Sequence, residues 1–202
     1  MNIYLDGEFA FGLARIVAVW LNTGQELSDG KVAQLTNDDE RESAYQKALH
    51  FLGYRQRSSE EVRKNLSKRG ISETLVAETV ERLQHAGLVN DETFARSWVE
   101  NRNEFHPRSK SALRMELRLK GLSDETIQSV LDEQVDEEPL AYAAARKYAR
   151  RLAGLEWPEF RQKLSGFLAR RGFSYAVLSP VVSEVWKEIQ TADTGSISDN
   201  KE

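Results

Sequence analysis

Apolar residues recur at intervals of three and four along most of the chain, in three segments that superpose on one another at an offset of 51 residues. Val62, Leu113 and Leu164 align, as do Leu66, Leu117 and Leu168, then Val76, Ile127 and Leu178, then Val80, Leu131 and Val182. Within each segment these positions pair at spacings of four, which puts them on one face of a helix. A pattern that returns at a fixed period is a fold unit rather than a coincidence of composition.

Each repeat is predicted as three helices: 41–53, 59–69 and 73–85, then 91–105, 109–120 and 124–134, then 140–152, 157–171 and 174–190. Between the second and third helix of each repeat the chain writes one phrase three times, "LSKRGIS", "LRLKGLS" and "LARRGFS". Glycine ends the second helix in a left-handed cap, and the basic residue before it complements the negative helix end. The next apolar residue closes the cap, and Ser72, Ser123 or Ser174 begins the following helix. "SSEE" adds a capping box, with Ser58 as N-cap and Glu61 three residues on.

Ahead of the repeats, "IYLDGEFAF" places Asp6-Gly7 between two short apolar and aromatic runs, the signature of a two-residue hairpin with strands near 2–5 and 8–11. "LARIVAVWL" (13–21) reads as a buried helix, "LSDGKVAQL" as a short second helix with Ser28 as N-cap, and "NDDERE" (37–42) as a polar boundary. The expected organisation is an N-terminal hairpin and helical extension over 1–40, repeats over 41–90, 91–137 and 138–190, and a disordered tail over 191–202, where apolar content runs out. The fold class is all-α: three tandem three-helix repeats in a curved array behind a small β-hairpin.

Composition narrows the functional classes. The chain of 202 residues is 40% hydrophobic, enough for a substantial core, with no apolar run long enough to span a membrane and no signal-peptide pattern at its start. Cysteine is absent, which removes disulfides, thiolate metal sites and a cysteine nucleophile, and a cytoplasmic location is expected. The net charge of −4 is unevenly spread: residues 1–40 hold 2 basic and 7 acidic side chains, 41–131 hold 16 and 13, and 132–202 hold 10 and 12. Bulk charge argues mildly against a nucleic-acid partner, so the local pattern decides.

No catalytic constellation is visible. His50, His85 and His106 lack metal-ligand spacing, and no phosphate loop, nucleophile elbow or dinucleotide fingerprint occurs. No catalysis, cofactor or metal is expected. Asp38-Asp39 and Glu137-Glu138 read as solvated connectors, and the sequon Asn65-Leu66-Ser67 falls inside a predicted helix with Leu66 in the core. The recurring chemistry is cationic: Arg55, Arg57, Arg63, Lys64, Lys68 and Arg69 in the first repeat, Arg102, Arg108, Lys110, Arg114, Arg118 and Lys120 in the second, Arg170 and Arg171 in the third. Lys64 with Lys68 and Arg114 with Arg118 are four apart and share a helix face. Glu60 can pair with Lys64 at the same spacing, so a merely solvated face stands beside a nucleic-acid-binding stripe as a reading.

"YRQRSSEEVRKNLSKRGIS", "GLVNDETFARSWVENR" and "PRSKSALRMELRLKGLSDETIQSVL" together resemble the RecX family, bacterial regulators of the RecA recombinase. The likeness runs from Ala44 to Val185, and the N-terminal "YLDGEFAFGLARIVAVWLNTGQELSD" resembles an extension found in part of that family. The resemblance implies a non-enzymatic protein that binds the RecA–DNA filament along its groove and modulates filament growth, ATP hydrolysis and strand exchange in recombination, DNA repair and the SOS response; a monomer is expected. Single-stranded or duplex DNA would be held through phosphate contacts, and no membrane is involved. Arg55 and Arg57 match the family's basic run before the first capping serine, Arg102 the arginine ending the second repeat's first helix, and Lys120-Gly121 the hinge after it. Phe105-His106-Pro107 departs from relatives that carry glycines there, leaving the placement of Arg108 and Lys110 open. A free-standing helical DNA-binding protein and a pure protein-interaction scaffold are the alternatives.

Overall fold

A computed structural model of the chain describes the backbone of residues 1–198 and side chains through Thr191. It divides into two compact units, Met1–Asn90 and Asp91–Glu202. In the first, strands β1 (Asn2–Leu5) and β2 (Glu8–Gly12) form an antiparallel hairpin. Asp6 and Gly7 both take positive φ at the turn, as a tight primed turn requires. Register shifts between Ile3 and Tyr4, because Ile3 faces Phe11 and Tyr4 faces Phe9, which leaves Ala10 as a bulge.

Two expectations for the N-terminal region are corrected. The predicted buried helix over 13–21 is a single turn, α1 (Arg15–Ala18), and Ile16, Val19 and Trp20 are exposed, Trp20 at 85%. Apolar content overstated this segment: only Leu13 and Ala18 of it are buried, in a small cluster with Leu35, and Val17 and Leu21 are partly covered against it. The predicted short helix, polar boundary and first repeat helix are one continuous rod, α2 (Asp29–Leu52), started by Ser28, whose hydroxyl accepts the Lys31 N–H. Nothing between 37 and 42 breaks a helix, and once nucleated a helix extends at little cost. Its polar residues are used: Asp39 accepts the Ala14 N–H at the start of α1, and the 8%-exposed Glu42 pairs with Arg82 at 3.1 Å.

The first repeat packs α2 against α3 (Ser59–Ser67) and α4 (Glu73–His85) around Ala48, Val62, Leu66, Val76, Val80 and Leu83. In the second compact unit, α5 (Asp91–Phe105), α6 (Lys110–Leu119) and α7 (Asp124–Gln134) close over Phe94, Val99, Leu113, Leu117 and Ile127. Then α8 (Glu137–Ala149, continued by a 3-10 turn over Arg150–Leu152), α9 (Trp157–Arg170) and α10 (Tyr175–Ser198) close over Phe160, Leu164, Leu168 and Val182. Leu140 packs against both cores of this unit. All twelve positions aligned by the 51-residue offset are buried. The helix α10 runs to Ser198, beyond the limit of 190 expected from sequence, and the tail expectation for 199–202 lies outside the described residues.

The three hinge phrases have one geometry. Gly70, Gly121 and Gly172 take φ of 76°, 80° and 90°. The N–H after each glycine reaches back to the core leucine: Ile71 to Leu66 at 3.4 Å, Leu122 to Leu117 at 3.3 Å and Phe173 to Leu168 at 3.3 Å. This is the six-to-one bond of a Schellman cap. The hydroxyls of Ser58, Ser109 and Ser123 accept N–H bonds from Glu61, Ala112 and Thr126, whereas Ser72 stands at its helix start without a side-chain cap bond.

Candidate nucleic-acid interface

Most of the cations expected to meet phosphate are already occupied within the fold. Arg55 forks onto Glu61 at 2.9 and 3.1 Å, Lys64 reaches Glu60 at 3.3 Å, Lys110 reaches Asp132 at 3.2 Å and Arg118 reaches Asp124 at 2.7 Å. Arg69 bonds Asn65 and Arg114 bonds Gln128. Arg57 lies 4.1 Å over the Phe51 ring with its Nε buried and unpartnered, and burial together with nearby Arg55 draws its pKa down. Arg63 is half-buried, Lys68 and Arg170 are exposed, and no side-chain partner is found for these three among the described residues.

In the second repeat the cations organise around one carboxylate. Glu116, on α6, accepts the Trp98 indole N–H at 2.7 Å, Arg102 Nε at 2.8 Å and an Arg108 guanidinium N–H at 2.9 Å. Arg102 also stacks 4.7 Å above the Trp98 ring, and the Lys120 ammonium sits 4.8 Å from it. The structure thus brings Arg102, Arg108 and Lys120 together around Trp98 and Glu116, neither of which the sequence singled out. Arg102 and Glu116 are 14 residues apart on different helices, a spacing that no local rule connects.

The turn at Phe105-His106-Pro107 places Arg108 and Lys110 with definite partners. Helix α5 ends with the His106 N–H on the Arg102 carbonyl at 2.9 Å. The start of α6 is closed by the third repeat: the Ser109 N–H donates to the Arg171 carbonyl at 3.1 Å, and the Lys110 N–H donates to the Glu137 carboxylate at 2.7 Å. Helix N-termini leave such donors unmet, and here a neighbouring repeat meets them. Glu137 is therefore no solvated connector. It opens α8 and caps α6, just as Asp39 serves α1.

Arg171 is the most built-in of the expected cations. Its guanidinium donates to the Pro107 carbonyl at 2.9 Å and lies 4.5 Å over Phe167. Burial, and then the neighbouring charge of Arg108, lower its pKa. Beside it the structure sets a basic run that the sequence reading passed over, "RKYARR" over 146–151. Arg146 is paired with Glu188, while Lys147 and Arg151 are exposed and meet no carboxylate among the described residues. The sequence carries a signal for this run, four cations in six residues around a tyrosine. No group of His, Asp or Glu among the described residues could hold a metal ion, and no described helix is long and apolar enough to cross a membrane.

Comparison with known proteins bears on all three repeats. The descriptions "RecX, first three-helix domain", "RecX, second three-helix domain" and "RecX, third three-helix domain" match residues 44–83, 90–131 and 136–182. The regulatory protein RecX of Bacillus subtilis (strain 168) is 32% identical over 188 residues, covering 91% of this chain and 71% of that protein. That of Bacillus pumilus (strain SAFR-032) is 30% identical over 190 residues, covering 92% and 72%. Among solved structures, a crystal structure of regulatory protein RecX superposes with a TM-score of 0.72 at 28% identity, covering 89% of this chain and 91% of that one. RecX from Lactobacillus salivarius superposes with a TM-score of 0.65 at 25% identity, covering 73% and 97%.

Proposed function

The chain belongs to the RecX family of regulatory proteins, and from that premise we propose that it is a non-enzymatic, monomeric, cytoplasmic regulator that binds the RecA–DNA filament along its groove and modulates the recombinase in recombination and DNA repair. The observation that carries this reading is the match of all three three-helix domains across 44–182, so that the whole repeat region is of one kind. The charge arrangement supports it. A groove in a nucleoprotein filament offers both protein surface and phosphate. This chain combines acid-paired cations with others, Lys68, Lys147, Arg151 and Arg170 among them, that meet no carboxylate among the described residues. Lys and Arg contacts to phosphate give salt-sensitive affinity without sequence preference.

The test compares binding of the full chain to naked single-stranded DNA, to duplex DNA and to a preformed RecA filament, with filament ATP hydrolysis as a second readout. Tight binding to the filament with altered hydrolysis supports the proposal. Equal binding to naked DNA and filament, with hydrolysis unchanged, points to the free-standing DNA-binding alternative.

A further inference from the structure

Within the second compact unit, a cleft of about 260 Å³ opens where the end of α5 meets α8 and α9, lined by Phe105, Lys147, Tyr148, Arg151, Phe167 and Arg171 among others. Three of these side chains are cationic, and no carboxylate among the described residues lines the cleft. Other cations of this unit have a carboxylate beside them, Glu116 for Arg102 and Arg108 and Asp124 for Arg118. Here Lys147 and Arg151 meet no acid among the described residues, and Arg171 makes its bond to a neutral carbonyl while facing the charge of Arg108. A group of like charges gathered without a counter-charge is held at an electrostatic cost that an anionic ligand removes.

The walls are aromatic as well as basic. Tyr148 and Phe167 stack in parallel, with centroids 4.0 Å apart and planes 3° from coplanar, and Arg171 lies over the Phe167 ring. Phe105, at the end of α5, remains 53% exposed. A bare anion would use the cations and leave these rings idle. A planar ring joined to a phosphate uses both, and bases stack on aromatic side chains without regard to sequence. The volume is just below the usual range for small-molecule pockets, roughly 300–1,000 Å³, which suits one nucleotide and excludes a duplex.

We propose that this cleft binds one unstacked nucleotide of a single DNA strand, with its phosphate held by Lys147, Arg151 and Arg171 and its base against the aromatic wall that includes Phe105. The site rests on the nucleic-acid part of the function proposed above and names where and in what form the strand is held.

The experiment uses the full chain in three anisotropy titrations: a fluorescent oligo-dT strand, a fluorescent abasic strand of equal length, and the fluorescent oligo-dT in competition with unlabelled oligo-dT or with poly-glutamate. The variants are Phe105→Ala and the double change Lys147→Gln with Arg151→Gln, all at exposed positions, with circular dichroism to verify folding. The wild type should bind oligo-dT roughly 5- to 100-fold more tightly than the abasic strand, the range expected from one stacked base. Phe105→Ala should shrink that preference while leaving abasic binding unchanged. The double variant should weaken both strands and lower the salt slope by about 0.7, as the loss of one single-strand phosphate contact predicts. Equal binding of base-bearing and abasic strands, unaltered binding by the folded variants, or competition by poly-glutamate as effective as by unlabelled oligo-dT would each overturn the site. Filament binding by the wild type, measured in parallel, separates the two failures: it persists if only the cleft assignment is wrong and is absent if the broader function is wrong.

Discussion

Gly172 lies flush against Ser109: a Cβ at Gly172 would collide with the Ser109 hydroxyl and come within 3.0 Å of the Ala112 Cβ. The same serine caps α6 and donates its N–H to Arg171. The hinge of the third repeat is thus seated on the N-terminus of a helix in the second. At Gly70 the phrase is the same but a Cβ would meet nothing within 4 Å.

Alanine at these two glycines should therefore separate conformation from contact. Gly70→Ala bears only the left-handed backbone, roughly 1–2 kcal/mol. Gly172→Ala adds displacement of a capping serine, about 1 kcal/mol more. Thermal or urea denaturation should rank them in that order, and equal losses would show that the seam gives way freely.

The leucines at 66, 117 and 168 are fully buried. Changing any one to alanine should cost about 2–5 kcal/mol, in line with large-to-small changes in packed cores. A loss under about 0.5 kcal/mol at all three, of the size of ordinary surface changes, would contradict the packing described.

These leucines, the hinge glycines and most helix limits could be read from sequence because each depends on residues within five positions of one another. Long-range relationships could not. Nothing local links Glu116 to Arg102 and Arg108, or Glu137 to the Lys110 N–H, and of the two acids only Glu137 carried an expectation, that of a solvated connector. The basic stripe was legible as residue types and only in part as available charge: the Glu60–Lys64 pair follows from a spacing of four, but Lys110 meets Asp132 22 residues on and Arg118 meets Asp124 across the hinge. The join in α2 was missed for a different reason: polarity marks exposure, and an exposed stretch can be helix as readily as linker.

Glu116→Gln should move stability and binding in opposite directions. The carboxylate accepts from Trp98, Arg102 and Arg108, and losing its charge weakens charge-assisted bonds worth about 1.5–3 kcal/mol each at most. The two arginines then lack their counter-charge. The variant should melt lower and bind single-stranded DNA more tightly at low salt. Weaker binding by a folded variant would mean that the positions of Arg102 and Arg108 matter more than their net charge.

Replacing Lys64, Lys68, Arg114 and Arg118 together by glutamine should leave helical circular dichroism intact and weaken DNA or filament binding with a flatter salt dependence. Because Lys64 and Arg118 are acid-paired, the loss on single-stranded DNA should be smaller than for Lys147→Gln with Arg151→Gln, although twice as many charges are removed. A larger loss would return the interface to the α3 and α6 faces.

Acid should loosen the second repeat. A hydrogen bond from Arg118 holds Asp124 below its ordinary pKa of 3.8, one from Gln128 and then one from Lys110 do so for Asp132, and one from Arg96 holds Glu133 below 4.5. Since the folded form binds these protons less readily than the unfolded chain, the contribution is complete above the unfolded values and disappears as pH falls through the folded ones. Melting temperature should be level from about pH 8 to 5 as far as these groups are concerned and fall below about 4. Asp124→Asn with Glu133→Gln should make the fall shallower, and because the groups are exposed, about 1 M salt should do the same. An unchanged acid limb in the double variant would assign the fall to other carboxylates.

The rod α2 sets a rotational phase. It is about 36 Å long at 1.5 Å per residue, and it is held at two points on its surface: Asp39 to the start of α1, and Glu42 to Arg82 in the first repeat. In a flexible linker an extra residue between 39 and 42 would be absorbed. In a continuous helix it turns everything on one side by about 100° relative to the other, so both grips cannot be kept at once. Insertions and deletions in that stretch should be tolerated only in whole-turn steps, and an exchange of the N-terminal extension between relatives must preserve the helical phase between Asp39 and Glu42.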